Sequence, residues 1–187
     1  MPVTGVILAG GRGTRIGGAD KGLAEYDGRP LIEWMIERIR PQVDELLINA
    51  NRNVDRYASY GLTVVGDLRD DYAGPLAGLQ AAMAKAAHDW LLMVPCDTPA
   101  LPRNLVSHLM SAATGAGAAI AVAQTQRGWH PAVALVRRSL APDIDAFLES
   151  GQRRVRDWIS QQSHVAVSFD VASDFANLNT PGELSRK

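Results

Sequence analysis

Apolar positions along this chain fall into two rhythms. Val3–Leu8 is a short, largely apolar run that stops at Ala9-Gly10-Gly11. Such a run predicts a strand buried on both faces and feeding a glycine turn. Leu31, Ile32, Met35, Ile36 and Ile39 recur at helical spacing instead. Pro30 suits the start of that helix and Pro41 its end. Further apolar runs at 45–50, 62–65, 90–94, 118–123, 130–136 and 164–169 predict strands. Segments 75–87, 102–113, 139–149 and 152–160 carry helical patterns, the first opened by Gly74-Pro75. Small residues crowd 112–119, which reads as a turn.

Strands alternating with helices predict an α/β fold, a mostly parallel twisted sheet with helices on both faces. No linker, repeat or low-complexity segment interrupts residues 1–187, so one domain is expected. Nineteen Lys and Arg balance twenty Asp and Glu, so the broad positive field of a nucleic-acid binder is missing. Cys96 is the single cysteine, which excludes an intrachain disulfide and suits a reducing compartment. The N-terminal residues show no signal pattern, and no apolar run is long enough to span a bilayer. A cytoplasmic protein with no membrane partner is the expectation.

In sheets of this kind, ligands bind beyond the carboxyl ends of the strands. The first strand delivers residues 8–18 to that edge, and five of those residues are glycine. Without Cβ atoms in the way, backbone N–H groups there can approach an anion closely. Arg12, Arg15 and Lys21 add positive charge, so the stretch reads as a polyphosphate site. It is not a P-loop, because Lys21 follows Asp20 and precedes Gly22. Nor is it a dinucleotide fingerprint. The glycine spacing is one residue too long, and the second strand ends in Asn49-Ala50-Asn51 without the ribose-binding acid.

Asp67 and Asp97 follow the third and fourth predicted strands and should reach the same edge. A nucleoside triphosphate arrives with Mg2+, which takes oxygen ligands and few protein carboxylates. Asp97 lies in Pro95-Cys96-Asp97-Thr98-Pro99, where flanking prolines stiffen a metal ligand. The competing role, capping the next helix, is weakened by the distance to Pro102. Asp67 could equally end a turn. The carboxylate beside Cys96 would raise its thiol pKa, so Cys96 reads as a packing residue rather than a nucleophile.

These motifs, in this order, resemble the molybdenum cofactor guanylyltransferase family, MobA. The resemblance runs through Leu8-Ala9-Gly10-Gly11, Arg15-Ile16-Gly17-Gly18, Asp20-Lys21-Gly22 and Asn49-Ala50-Asn51-Arg52. It continues in Gly74-Pro75-Leu76-Ala77-Gly78, Pro95-Cys96-Asp97-Thr98-Pro99, His130-Pro131, Gly151-Gln152-Arg153-Arg154-Val155 and Asn177-Leu178-Asn179-Thr180-Pro181. Ile16 stands where that family more often has methionine. The first motif is shared with sugar-phosphate and terpenoid nucleotidyltransferases, and the later ones narrow the resemblance.

The resemblance implies a Rossmann-like nucleotidyltransferase fold. It implies GTP contacts at Leu8, Ala9, Gly10, Gly11, Lys21, Asn49, Asp67 and Asp97, with Asp97 also holding Mg2+. Arg15, Lys21 and Asp97 would carry the catalysis. The implied reaction joins GTP to molybdopterin cofactor, giving the guanine dinucleotide form and pyrophosphate. The attacking phosphate is already anionic, so charge neutralisation matters more than a general base. His130 either lines the pterin side or is a packed strand-end residue. Arg153 and Arg154, adjacent on a predicted helix, would point about 100° apart, leaving one to face the pterin. Asn177 and Asn179 either donate to the pterin or shape a turn. A monomer is expected, with molybdoenzyme-maturation proteins as a further partner class. Cytidylyl transfer, sugar-phosphate nucleotidyl transfer and a non-catalytic nucleotide sensor remain the alternatives.

Overall fold

The computed structural model describes residues 1–9, 20–69 and 74–178. Seven strands form one sheet in these residues: β1 (Val3–Leu8), β4 (Glu45–Asn49), β5 (Thr63–Val65), β6 (Trp90–Pro95), β7 (Ile120–Thr125), β8 (Gly128–Arg137) and β9 (His164–Ser168). Their order is β5-β4-β1-β6-β8-β7-β9. β1 pairs parallel with β4 and β6, β4 with β5, and β7 with β9, while β8 runs antiparallel to both neighbours. The sheet is mostly parallel, as the alternation of patterns predicts.

Helices α1 (Leu31–Ile39), α2 (Val54–Ala58), α3 (Pro75–Lys85), α4 (Leu105–Ala116), α5 (Ala141–Glu149) and α6 (Val155–Ser160) cover both faces. Each central strand sends alternate side chains into two separate cores. Ile7, Ile48, Leu92 and Val94 pack with Ile32, Met35 and Leu109 on one side. Val6, Leu47, Leu91 and Met93 pack with Leu76, Leu79, Ile144 and Trp158 on the other. This two-sided burial is why the strands read as continuous apolar runs.

Several boundaries differ from the sequence reading. α4 starts at Leu105, not at 102, because Pro102 only closes a turn whose carbonyl accepts from Leu105 N–H. Residues 112–116 continue that helix, and Gly117 ends it in a left-handed conformation at φ 61°. Alanine's helix propensity outweighs the turn signal there. α6 starts at Val155, so Arg153 and Arg154 precede the helix and the helical-wheel argument does not apply to them. The periodicity also missed α2 and the small hairpin β2 (Glu25–Tyr26) and β3 (Arg29–Pro30). The hairpin's signal is Asp27-Gly28, both at positive φ.

Candidate active site

The parallel register levels four strand ends at one edge. Leu8 stands opposite Asn49 on one side and Pro95 on the other, and Asn49 stands opposite Val65. Residues just beyond these ends, Ala9, Ala50, Asp67 and Asp97, therefore share that edge. The backbone closes it tightly. Ala9 N–H donates to Asn49 O, Ala50 N–H to Val65 O, and Cys96 N–H to Leu8 O, at 2.8–3.1 Å. Ala9's own amide is thus committed to the sheet. Gly10, Gly11 and Arg15 lie outside the described residues, as does Asn179.

Lys21 follows Asp20 in a 3-10 turn, Lys21–Leu23, and its Nζ donates to Asp97 Oδ2. Asp97 is 7% exposed. Its other oxygen, Oδ1, is buried without a hydrogen-bond partner among the described residues, as is Thr98 Oγ1 beside it. A buried carboxylate oxygen without a donor is costly unless something positive meets it. A divalent cation carried by a triphosphate suits that position, since such ions take oxygen ligands and keep few protein carboxylates. The residues present fit a metal in that mode. Among the described residues there is no group of three or more His, Cys, Asp or Glu able to hold an ion by themselves. Cys96, next in the chain, is buried, and burial followed by the Asp97 charge pushes its thiol up to about 12. It is a packing residue.

Asn49 and Asn51 build the neighbouring subsite. Asn49 Nδ2 donates to Val65 O at 3.1 Å and to Asp67 Oδ1 at 2.9 Å. Asn51 Nδ2 donates to Asp67 Oδ2 at 2.8 Å, and Asp67 N–H returns a bond to Asn51 Oδ1 at 2.7 Å. Asp67 is thereby held rigid while it still lines a groove of about 380 Å³ with Ala50, Asn51, Val54, Val64, Gly66 and Arg69. Gly78 of α3 backs Asn49 so closely that a Cβ there would overlap Asn49 Oδ1 and approach Leu8 Cδ2 to 2.8 Å. No role for Asn51 or Gly78 emerges from the sequence by itself.

Two of the remaining candidates, Asn177 and His130, come to this edge. Leu178 N–H donates to Asp97 O at 2.9 Å, which brings Asn177 beside the metal-ligand candidate. His130 lies near the start of antiparallel β8, again at this edge. Its Nε2 meets Thr125 Oγ1 at 2.9 Å and its ring stacks on Phe175 at 4.7 Å. Burial, with help from Arg127, lowers its pKa and keeps it neutral near pH 7. Arg69 Nη2 to Glu149 Oε1 (3.6 Å) joins the segment after Asp67 to the end of α5. Arg153 and Arg154 lie in the turn between α5 and α6. Arg153 Nη1 donates to the carbonyls of Leu148 and Gln152 at 2.7 Å, and Arg154 is the N-cap of α6.

Sequence comparison places residues 5–165 in the MobA-like NTP transferase domain. The molybdenum cofactor guanylyltransferase of Shewanella sp. strain MR-4 is 46% identical over 187 residues, spanning 100% of this chain and 95% of that protein. The enzyme of that name from Shewanella halifaxensis strain HAW-EB4 is 45% identical, over 96% of this chain and 90% of its own. Among solved structures, molybdopterin-guanine dinucleotide biosynthesis protein A from Archaeoglobus fulgidus superposes with a TM-score of 0.79. It is 23% identical and covers 97% of this chain and 94% of that one, which speaks for the fold. Among the described residues no helix is long and apolar enough to cross a membrane.

Proposed function

Because the chain belongs to the MobA-like NTP transferase domain family and is a nucleotidyltransferase, we propose that it transfers GMP from GTP to the terminal phosphate of molybdopterin cofactor. A phosphate oxygen of the acceptor forms a bond to the α-phosphorus of GTP. The bond from that phosphorus to the β-phosphate oxygen breaks, and pyrophosphate leaves with its electron pair. No proton need be abstracted, because the acceptor phosphate is already ionised. The task is to bring two anions together and to hold the charge on the leaving group.

The observation that carries this reading is the gathering of Lys21, Asn49, Asp67 and Asp97 beyond level strand ends. Lys21 meets phosphate oxygens, with Arg15 and the backbone of Gly10 and Gly11 in the same role. Leu8 and Ala9 form the floor. Asp97, whose Oδ1 has no partner among the described residues, holds Mg2+. That ion, when bound, neutralises phosphate charge as a Lewis acid. Asp67 offers two acceptor oxygens in an open groove, complementary to the adjacent N–H donors of guanine and not to the Watson–Crick acceptors of cytosine. The pterin side falls to His130, Asn177, Asn179, Arg153 and Arg154.

Residues 1–187 act as a single catalytic domain in this reading, monomeric and cytoplasmic, passing product to molybdoenzyme-maturation proteins. Calorimetry with GTP, CTP, ATP and UTP in the presence of magnesium tests it. GTP should bind at least about tenfold tighter than CTP, roughly 1.4 kcal/mol. Pyrophosphate should appear only when GTP and the cofactor are both present. Equal affinities or a CTP preference would reject guanylyl transfer.

A further inference from the structure

Asp20 and Tyr57 stand outside the set of residues assigned to nucleotide above, yet they enclose Lys21. The Asp20 side chain is 5% exposed. Its Oδ1 accepts from Gly22 N–H at 3.2 Å and from the Tyr57 hydroxyl. Its Oδ2 accepts from Asn53 Nδ2 at 2.9 Å, with Arg52 Nε 3.7 Å away. The carboxylate is therefore held by residues 52–57, which pack against the Lys21 turn, and by the Gly22 amide.

Tyr57 is fully buried on α2. Its ring belongs to the core that includes Ala9, Ala50 and Cys96. Packing would be served as well by phenylalanine, which brings no polar group to satisfy. The hydroxyl is explained by Asp20. Burial, then the bond to Asp20, raise its pKa, so it remains a donor. Gly22 closes against the same hydroxyl: a Cβ there would lie 2.5 Å from Tyr57 Oη. Lys21 thus sits between a residue whose side chain is tied down and a residue whose amide is tied to that side chain. Its backbone has one place to be, and from that place Nζ reaches Asp97.

We propose that Asp20 and Tyr57 are positioning residues: the Tyr57 hydroxyl fixes the Asp20 turn, which holds the Lys21 ammonium over Asp97 and in line for the phosphates of a nucleoside triphosphate. This rests on the reading that Lys21 meets the triphosphate. The same cluster ties that turn to Asn53 and so to the groove wall at Asn51 and Val54. Displacements of about 1 Å in such a side chain are enough to weaken a charge-assisted contact severely.

Tyr57→Phe keeps the ring and removes only the hydroxyl. Calorimetric affinities for GTP, CTP, ATP and UTP with magnesium would be measured for wild type, Tyr57→Phe, Lys21→Ala and the double variant. Tyr57→Phe should weaken the tightest-binding triphosphate about tenfold. In the Lys21→Ala background the same change should cost less than about twofold, because the side chain it positions is gone. A purely structural role would give the same loss in both backgrounds and would overturn the proposal. So would wild-type affinity in Tyr57→Phe. Asp20→Asn in the same two backgrounds provides a second pair should Tyr57→Phe fail to fold. A wild-type preference for another triphosphate would correct the guanylyl reading and leave this cycle intact. Binding of none would overturn both.

Discussion

Lys21 and Asp97, 76 residues apart in the chain, are joined by an ion pair from Nζ to Oδ2. The pair brings the turn after the glycine-rich segment against the end of β6. It also sets a charge balance. While Lys21 neutralises Asp97, the edge can accept a polyanion; without Lys21, an uncompensated buried carboxylate would repel one.

Lys21→Ala should therefore weaken GTP binding on two counts: a phosphate loses its cation and Asp97 loses its partner. A loss of about tenfold or more is expected. Far-ultraviolet circular dichroism should be unchanged, since the side chain lies outside both cores. Wild-type affinity and turnover in this variant would remove Lys21 from the site.

Asp97→Asn keeps the shape and removes the charge that draws a divalent ion. Turnover should fall about 100-fold or more. GTP affinity measured without magnesium should stay level or rise, because the variant also leaves the Lys21 ammonium available to phosphate. Titrations with and without the metal separate the two effects. A parallel loss in both would contradict the metal-ligand role.

Arg153→Ala with Arg154→Ala should leave GTP affinity near the wild-type value and lower affinity for the pterin. Separate titrations of GTP and cofactor provide the check. Equal losses for both ligands would end the division of the edge into nucleotide and acceptor sides.

Gly78→Ala and Gly115→Ala set propensity against packing. Both glycines lie in helices, where alanine is intrinsically better by about 1 kcal/mol. Around Gly115 a Cβ meets nothing within 4 Å, so Gly115→Ala should raise the melting temperature by about 2–4 °C. At Gly78 the Cβ would collide with Asn49, and overpacking of this kind costs roughly 1–3 kcal/mol. Gly78→Ala should lower the melting temperature and weaken nucleotide binding, because Asn49 orients Asp67. Thermal denaturation of the two variants side by side decides which effect wins.

Cys96 gives a pH dependence. Burial, then Asp97, push its thiol up from the ordinary thiol range to about 12. The native state thus retains a proton that the unfolded chain releases near pH 9. This contribution to stability is complete below that pH and is lost as pH rises towards 12. Denaturant midpoints measured across the alkaline range should fall, and less steeply in Cys96→Ala. Alkylation of the native thiol at pH 8 should lag far behind that of the unfolded chain.

The sequence by itself determined the sheet and much of the edge. Continuous apolar runs such as 90–94 could be only doubly buried strands once helical patterns alternated with them, and parallel pairing then sends their carboxyl ends the same way. That logic reached Lys21, Asp67 and Asp97 without coordinates. Guanylyl transfer came from motif resemblance, because base choice leaves no periodic trace. The start of α4 at Leu105 and of α6 at Val155 depended on local backbone turns, such as the Leu105 N–H to Pro102 O bond, that hydrophobic periodicity does not register. What only the tertiary structure decided is who meets whom. Asp20 reaches Tyr57 across 37 residues, Asn49 reaches Asp67 across 18, and Leu178 closes on Asp97. Contacts of that kind are set by strand order and by the space between packed elements, and neither propensity nor spacing along the chain encodes them.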